Sequence, residues 1–164
     1  MNITERFNVI NPWVYINENE NATTGYTDVI LNNNGDDVIP GYLPVTQLCF
    51  GMSLMWLKTR KTKFSGLEIA EKKEVITNVL NNIDNADQIK NGKILIGNGT
   101  EIQTSNIGSL PVGTRFLIFG LTHVRAAIKT SNGYIIFDSN YGSETTYDLA
   151  GFINAVAGCH LIAS

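Results

Sequence analysis

Cysteine is scarce in this chain, and so is charge. Only Cys49 and Cys159 are present, and charged residues make up 16% of the 164 positions. Two cysteines can form one bridge but not the disulfide framework of a small secreted domain, and their spacing matches no zinc-binding motif. The formal net charge of -3 lacks the basic excess that is typical of nucleic-acid-binding proteins. We therefore expect no nucleic-acid partner and no metal site.

Long apolar runs and targeting signals are also missing. No stretch is long and apolar enough to cross a bilayer, and the first six residues lack the charged-then-apolar order of a secretory signal peptide. We expect no membrane span, and either secretion or injection into a target cell by another route or a cytoplasmic location. The sequence also contains no nucleotide-binding glycine motif and no internal repeat.

Hydrophobic residues, in contrast, make up 43% of the chain. Chains that stay disordered are poor in such residues, so this composition excludes a largely disordered protein. A length of 164 residues is most simply one domain with its own core. We predict a single domain over residues 1–164, in which the patterns assign the N-terminal segment 1–41 poorly.

The most informative stretch is residues 47–57, where Cys49 precedes an apolar run rich in methionine and leucine. The run follows a proline-containing loop and predicts a buried helix that begins near Cys49. Backbone N–H groups in the first turn of a helix carry partial positive charge, which favours a thiolate. Because the thiolate is the nucleophilic form of cysteine, Cys49 is a candidate nucleophile.

Two later polar residues lie in strand-like runs. His123 lies within residues 121–128, and Asp138 ends the run 134–138. A cysteine, a histidine and an aspartate in this order can serve as nucleophile, base and orienting group. Residues 131–133 indicate a hairpin turn between the two strands. Since facing residues share one side of a sheet, we predict a loop longer than two residues, which would place Asp138 opposite His123.

The remaining patterns predict helices early in the chain and an antiparallel sheet later, which is an α+β fold. Ser65 and Glu68 form a capping-box pattern ahead of a helix that ends between residues 81 and 85. Short strands are predicted at residues 9–16, 27–31 and 115–119, one or two more within residues 94–107, and a last short helix at residues 147–157.

The residues around Cys49 resemble the helix start of papain-like cysteine proteases. Residues 49–56 contain the cysteine, serine and tryptophan of the pattern Cys-x-x-x-Ser-x-x-Trp. Residues 137–142, Phe-Asp-Ser-Asn-Tyr-Gly, are similar to the phrase Phe-Asp-Pro-Asn-x-Gly of bacterial effector proteases of the YopT/AvrPphB type. Ser139 departs from the proline of that phrase, which affects the stiffness of the loop more than the chemistry.

This resemblance covers the chain from Cys49 to about Gly142. It implies a papain-like α+β fold, in which a helical part that carries the cysteine packs on an antiparallel sheet that carries the histidine and the aspartate. It also implies a catalytic triad of Cys49, His123 and Asp138 in a virulence effector or toxin that acts on a protein of a host or target cell. Effector glutamine deamidases share the fold and triad, so the triad alone does not separate the two activities.

In this hypothesis His123 takes the proton of Cys49, or lies beside the thiolate as an imidazolium, and Asp138 fixes the orientation of its ring. The oxyanion would be stabilised by the backbone N–H of Cys49 and one side-chain amide, for which Gln47 is a candidate. Arg125 shares the predicted strand face of His123, so it could line the substrate groove or be a solvated strand residue. No metal or organic cofactor is required.

Each residue also has a purely structural interpretation. Free cysteine is among the most buried residue types, so Cys49 alone could be an inert core residue. His123 could be a packed strand histidine, and Asp138 could belong to a turn. Cys159 and His160 are interpreted as structural. The ordered set favours a cysteine protease, with a glutamine deamidase of the same fold and a non-catalytic binding module on that scaffold as alternatives.

Overall fold

The computed structural model describes residues 14, 15, 30, 31, 41, 42, 48–82 and 84–164. Its helices and strands, in chain order, are β1 (Val14–Tyr15), β2 (Ile30–Leu31), β3 (Gly41–Tyr42), α1 (Leu48–Thr59), α2 (Ile69–Asn81), α3 (Asn85–Leu95), β4 (Thr100–Ile102), β5 (Arg115–Phe119), β6 (Val124–Thr130), β7 (Gly133–Asp138), β8 (Ser143–Tyr147), α4 (Leu149–Ala155) and β9 (His160–Ala163). Short 3₁₀ helices lie at Phe64–Gly66 and Thr104–Ser109. Within these described residues, no helix has the length and apolar character to cross a membrane.

Six strands form one antiparallel sheet in the order β4-β9-β5-β6-β7-β8, which confirms the predicted α+β class. The central strand β5 is almost wholly apolar and buried because helices cover both faces of the sheet. A second, small sheet has the order β2-β1-β3, in which β1 pairs antiparallel with β2 and parallel with β3.

Helix α1 lies on one face of the sheet and α4 lies on the other. All ten residues from Leu48 to Leu57 are buried, as expected for a helix that is covered on every side. The six-stranded sheet packs against one side of α1, and α2 packs against the side that faces away from the sheet. At the α1–α2 contact, a side chain on Gly51 would meet the carbonyl oxygen of Val75 at 2.7 Å. Glycine at this position therefore allows the two helices to approach closely.

Several predicted elements are confirmed by the structure. Helix α1 begins one residue before Cys49, β5 occupies the predicted residues 115–119, and α4 lies within the predicted range 147–157. Strands β1 and β2 lie within the predicted strands 9–16 and 27–31, whose other residues fall outside the described part of the chain.

Other predictions were confirmed only in part. Within residues 94–107, where one or two short strands were predicted, the structure contains one, β4, because α3 continues to Leu95 and Thr104–Ser109 is a 3₁₀ helix. Helix α3 has a local signal that explains its start, since the Asp84 side chain accepts a hydrogen bond from the Asp87 N–H at 2.8 Å. The residue that caps the N-terminus of α2 is Glu68 and not Ser65. The Glu68 N–H donates to the Glu71 carboxylate at 2.8 Å, as in a capping box.

Two strands were not predicted at all. Strand β8 is largely exposed and polar, so it lacks the apolar alternation that identifies a strand in a sequence. Strand β9 is only four residues long, yet it lies inside the sheet between β4 and β5.

Candidate active site

Cys49, His123 and Asp138 meet at one end of the six-stranded sheet. Cys49 is the second residue of α1 and is 4% exposed. His123 lies immediately before β6, in the turn that follows β5, and Asp138 is the last residue of β7. The Val124 N–H donates to Cys49 Sγ at 3.4 Å, which fixes the start of α1 beside that turn. The fold therefore brings the three predicted residues together.

The hairpin between β6 and β7 turns more tightly than predicted. Thr130 pairs with Gly133, so only Ser131 and Asn132 lie in the turn, and the prediction of a longer loop was wrong. Gly133 has a φ of 137°, a backbone conformation that other residues rarely adopt, and this glycine allows the chain to return after two residues.

The tight turn changes which residues face each other. Ala126 pairs with Phe137, so the next pair along the hairpin places Asp138 opposite Arg125 rather than opposite His123. His123 is diagonal to Asp138, and diagonal neighbours in a sheet remain within reach of a long side chain. His123 Nε2 lies 2.6 Å from Asp138 Oδ1. The predicted pair thus forms, but by a diagonal contact.

The charges of the site depend on these contacts. Burial lowers the pKa of His123, but hydrogen bonds and charges from Asp138 and Cys49 outweigh burial and raise that pKa from 6.5 to about 9. Burial raises the pKa of Asp138, yet His123, the Asn140 N–H and the charge of Arg125 together lower it below its ordinary value. At neutral pH the pair is therefore an imidazolium and a carboxylate.

His123 also makes a hydrogen bond with the side chain of Cys49. Because the Asp138 carboxylate contacts Nε2, Nδ1 is the ring nitrogen that remains for the hydrogen bond with Cys49. One ring thus bridges the thiol and the carboxylate, and each nitrogen has its own partner. This is the arrangement that a base oriented by a third group requires.

The pKa of His123 provides a direct test. We expect its imidazole to titrate at about 9, because the neighbouring negative charges favour the protonated ring. Nuclear magnetic resonance of ¹⁵N-labelled histidine can follow this titration, since the chain contains only two histidines. Replacing Asp138 with asparagine removes one of these charges and should lower the midpoint. An imidazole that titrates near 6.5 in the wild-type protein would contradict the geometry described above.

Arg125 lies on the α4 side of the sheet. Its guanidinium donates to the Ala155 carbonyl at 2.9 Å and lies 3.7 Å from Cys159 Sγ. A cation at the C-terminal end of a helix is favourable because unpaired carbonyls carry partial negative charge there. Arg125 therefore holds the end of α4 and acts on Asp138 through its charge. That it lines a substrate groove stays a prediction.

The remaining predicted residues have different outcomes. Gln47, the candidate for the oxyanion side chain, lies outside the described residues. His160 is more than half exposed, and its Nδ1 lies 3.0 Å from Glu101 Oε2, at the start of β9. Among the described residues, no group of three His, Cys, Asp or Glu side chains could hold a metal ion.

Sequence reasoning missed the role of Ser53. Its hydroxyl donates to the Val124 carbonyl at 3.1 Å, and both residues are buried. A local signal was available, because Cys49 and Ser53 are four residues apart and therefore lie on one face of α1. What that face contacts depends on the sheet.

Comparison with known proteins gives no match. No protein-family model matches the chain, and neither a curated protein nor a solved structure matches it. The function of the chain is therefore inferred from the geometry and charge of the site.

Proposed function

We propose that the chain is a thiol hydrolase that acts on an amide bond of a protein through Cys49, His123 and Asp138, as a papain-like cysteine protease. The supporting observation is that one imidazole contacts both the thiol at the start of a helix and a partly buried carboxylate. Cys49 is 75 residues from its contact Val124, so this convergence is produced by the fold and not by a local motif.

The raised pKa of His123 favours one of the two protonation schemes. With a pKa of about 9, the ring is an imidazolium at neutral pH, and it can hold Cys49 as a thiolate. The thiolate attacks the amide carbonyl, and backbone N–H groups in the first turn of α1 stabilise the oxyanion. The imidazolium gives its proton to the leaving amine, which leaves a thioester on Cys49. Water, deprotonated by His123, then hydrolyses the thioester, which releases the carboxylic product and restores the Cys49 thiolate beside the His123 imidazolium.

The papain-like fold is part of this proposal. A buried helix with the nucleophile at its start lies on an antiparallel sheet in which Asp138 ends β7, and this supports the arrangement implied by the resemblance. His123 departs from that arrangement, since it lies in the turn immediately before β6 and not in the strand itself. Asp138 keeps the ring of His123 in place but does not contact the thiol, so its role is orientation. The target is a protein, and by the resemblance it belongs to a host or target cell.

Differential alkylation tests whether the thiol is activated. An ordinary thiol with a pKa of about 8.5 is only roughly 0.3% thiolate at pH 6. We therefore expect iodoacetamide at pH 6 to label Cys49 at least about tenfold faster than Cys159. Peptide mapping by mass spectrometry would separate the two sites.

The His123→Ala variant is the control for that experiment. Without the imidazolium, labelling of Cys49 at pH 6 should slow toward the rate of Cys159, whereas labelling of Cys159 should stay the same. A Cys49 that never reacts in the folded wild-type protein would show an inert core residue, and the hydrolase proposal would fail.

A further inference from the structure

The backbone groups of Val124 point toward β7 but reach no β7 residue. The Gly120 N–H donates to the His123 carbonyl at 2.8 Å, so His123 faces β5 and the next residue, Val124, faces the opposite side. Strand β7 ends at Asp138, which lies opposite Arg125. The sheet therefore ends one residue before it could pair with Val124.

Helix α1 supplies the missing partners. Cys49 Sγ accepts the Val124 N–H at 3.4 Å, and the Ser53 hydroxyl donates to the Val124 carbonyl at 3.1 Å. All three residues are buried, with exposed fractions of 4% or less. Two side chains one helical turn apart thus take the place of a neighbouring strand, and they fix α1 against β6 next to His123.

We propose that the Val124 N–H is a catalytic donor that stabilises the Cys49 thiolate, and that Ser53 is a positioning residue that holds this N–H in place. The inference rests on the proposed function, since it concerns the nucleophile of that site. A hydrogen bond to the charged form of a group favours that form, and bonds to an ionised acceptor are stronger than neutral ones. The same peptide unit joins Val124 to His123, so anchoring Val124 also places the histidine.

Among the described residues, few charged groups near Cys49 compete with this effect. His123 faces the thiol from the turn before β6, and Asp138 lies behind that imidazole. The first turn of α1 contains no acidic residue. On α2, which packs against α1, Glu71 and Glu74 form ion pairs with Lys61 and Lys58 near the opposite end of α1. Arg125 is on the other face of the sheet, where it bonds to α4.

Replacing Ser53 with alanine removes the anchor and leaves the thiol and the imidazole in place. We expect the acid limb of Cys49 alkylation by iodoacetamide, measured as rate against pH, to move up by about one pH unit relative to wild type. The Ser53→Thr variant keeps the hydroxyl and should restore the limb. A purely structural role for Ser53 would lower the unfolding midpoint but would not move the limb.

Ser139 provides a matched control at the same end of the sheet. Ser139 is buried, with an exposed fraction of 1%. Among the described residues, its buried hydroxyl has no hydrogen-bond partner. Ser139→Ala should therefore leave the acid limb at its wild-type position. If it moves the limb as far as Ser53→Ala does, the shift reports packing and the proposal is overturned.

A second measurement does not depend on how well the Ser53 variants fold. In the wild-type protein, the amide proton of Val124 should change its chemical shift with the same midpoint as the alkylation limb, and this change should be absent in Cys49→Ala. An amide that does not follow the thiol would overturn the proposal.

The outcomes separate this inference from the function on which it rests. If wild-type Cys49 shows a low acid limb that Ser53→Ala leaves unchanged, the positioning role is wrong and the hydrolase stands. If wild-type Cys49 instead reacts as an ordinary thiol, the hydrolase fails and the positioning role fails with it.

Discussion

Replacing Cys49 with alanine should lower turnover by roughly 10⁴-fold or more, because nucleophile and base act as a unit and neither works alone. His123→Ala should have an effect of similar size. The assay is incubation of each variant with a peptide library and with intact proteins from a candidate target cell, followed by mass spectrometry. Circular dichroism of each variant would show that the fold is retained.

The masses of the products identify the reaction. Hydrolysis of a peptide bond produces new chain ends, whereas deamidation of a glutamine adds about one dalton and a negative charge. Both reactions need the same attack by a thiolate on an amide carbonyl, so the protease and the deamidase are distinguished by product and not by residue. Products of neither kind would favour the binding module.

Two further variants complete the experiment. Asp138→Asn should cost less than the loss of Cys49, because it removes the orientation of the ring and leaves the reacting groups. Cys159→Ala should keep wild-type turnover, since Cys159 contacts Arg125 and lies outside the triad. Full activity in Cys49→Ala would show that the assignment of the nucleophile is wrong.

Trp56→Ala should destabilise the protein by about 3–5 kcal/mol, the usual cost of removing a large buried aromatic side chain. Trp56 is fully buried in α1 and stacks on Phe137 of β7, with 5.4 Å between ring centroids. Its Nε1–H donates to the Glu144 carboxylate at 2.7 Å, and the Arg60 guanidinium lies 4.7 Å from the centre of its ring. The change would therefore remove the contact that holds α1 on the β7–β8 hairpin.

Chemical denaturation would measure this loss, and two variants separate its parts. Trp56→Phe keeps an aromatic ring on Phe137 but loses the N–H, so its cost should be well below that of alanine. Glu144→Ala leaves the buried indole N–H without its acceptor, which costs about 1–3 kcal/mol. A loss below about 1 kcal/mol for Trp56→Ala would show that the α1–β7 contact contributes little.

Arg60 also closes the end of α1. It donates to both carboxylate oxygens of Glu144, at 3.2 and 3.1 Å, and it has a φ of 62°, which few residues other than glycine adopt. The nucleophile lies at one end of α1 and this contact at the other, so both ends of the helix are fixed to the sheet.

The sequence by itself determined the elements that have a strong local pattern. An apolar run after a cysteine was enough to predict the start of α1, and a short apolar run after a turn was enough for β5. The order of Cys49, His123 and Asp138 also indicated a possible site before any contact was known. Such features depend on side-chain periodicity over one element, which can be read along the chain.

Only the tertiary structure decided which atoms meet. The two-residue turn sets the register of β6 and β7, and a change of register would have placed Asp138 elsewhere. Arg125 donates a hydrogen bond to the end of α4. Val124 is hydrogen-bonded to α1 because β7 ends one residue before it could pair with Val124. These contacts join residues that are distant in sequence, and the free energy that selects them comes from packing and pairing across the whole sheet, which no local pattern contains.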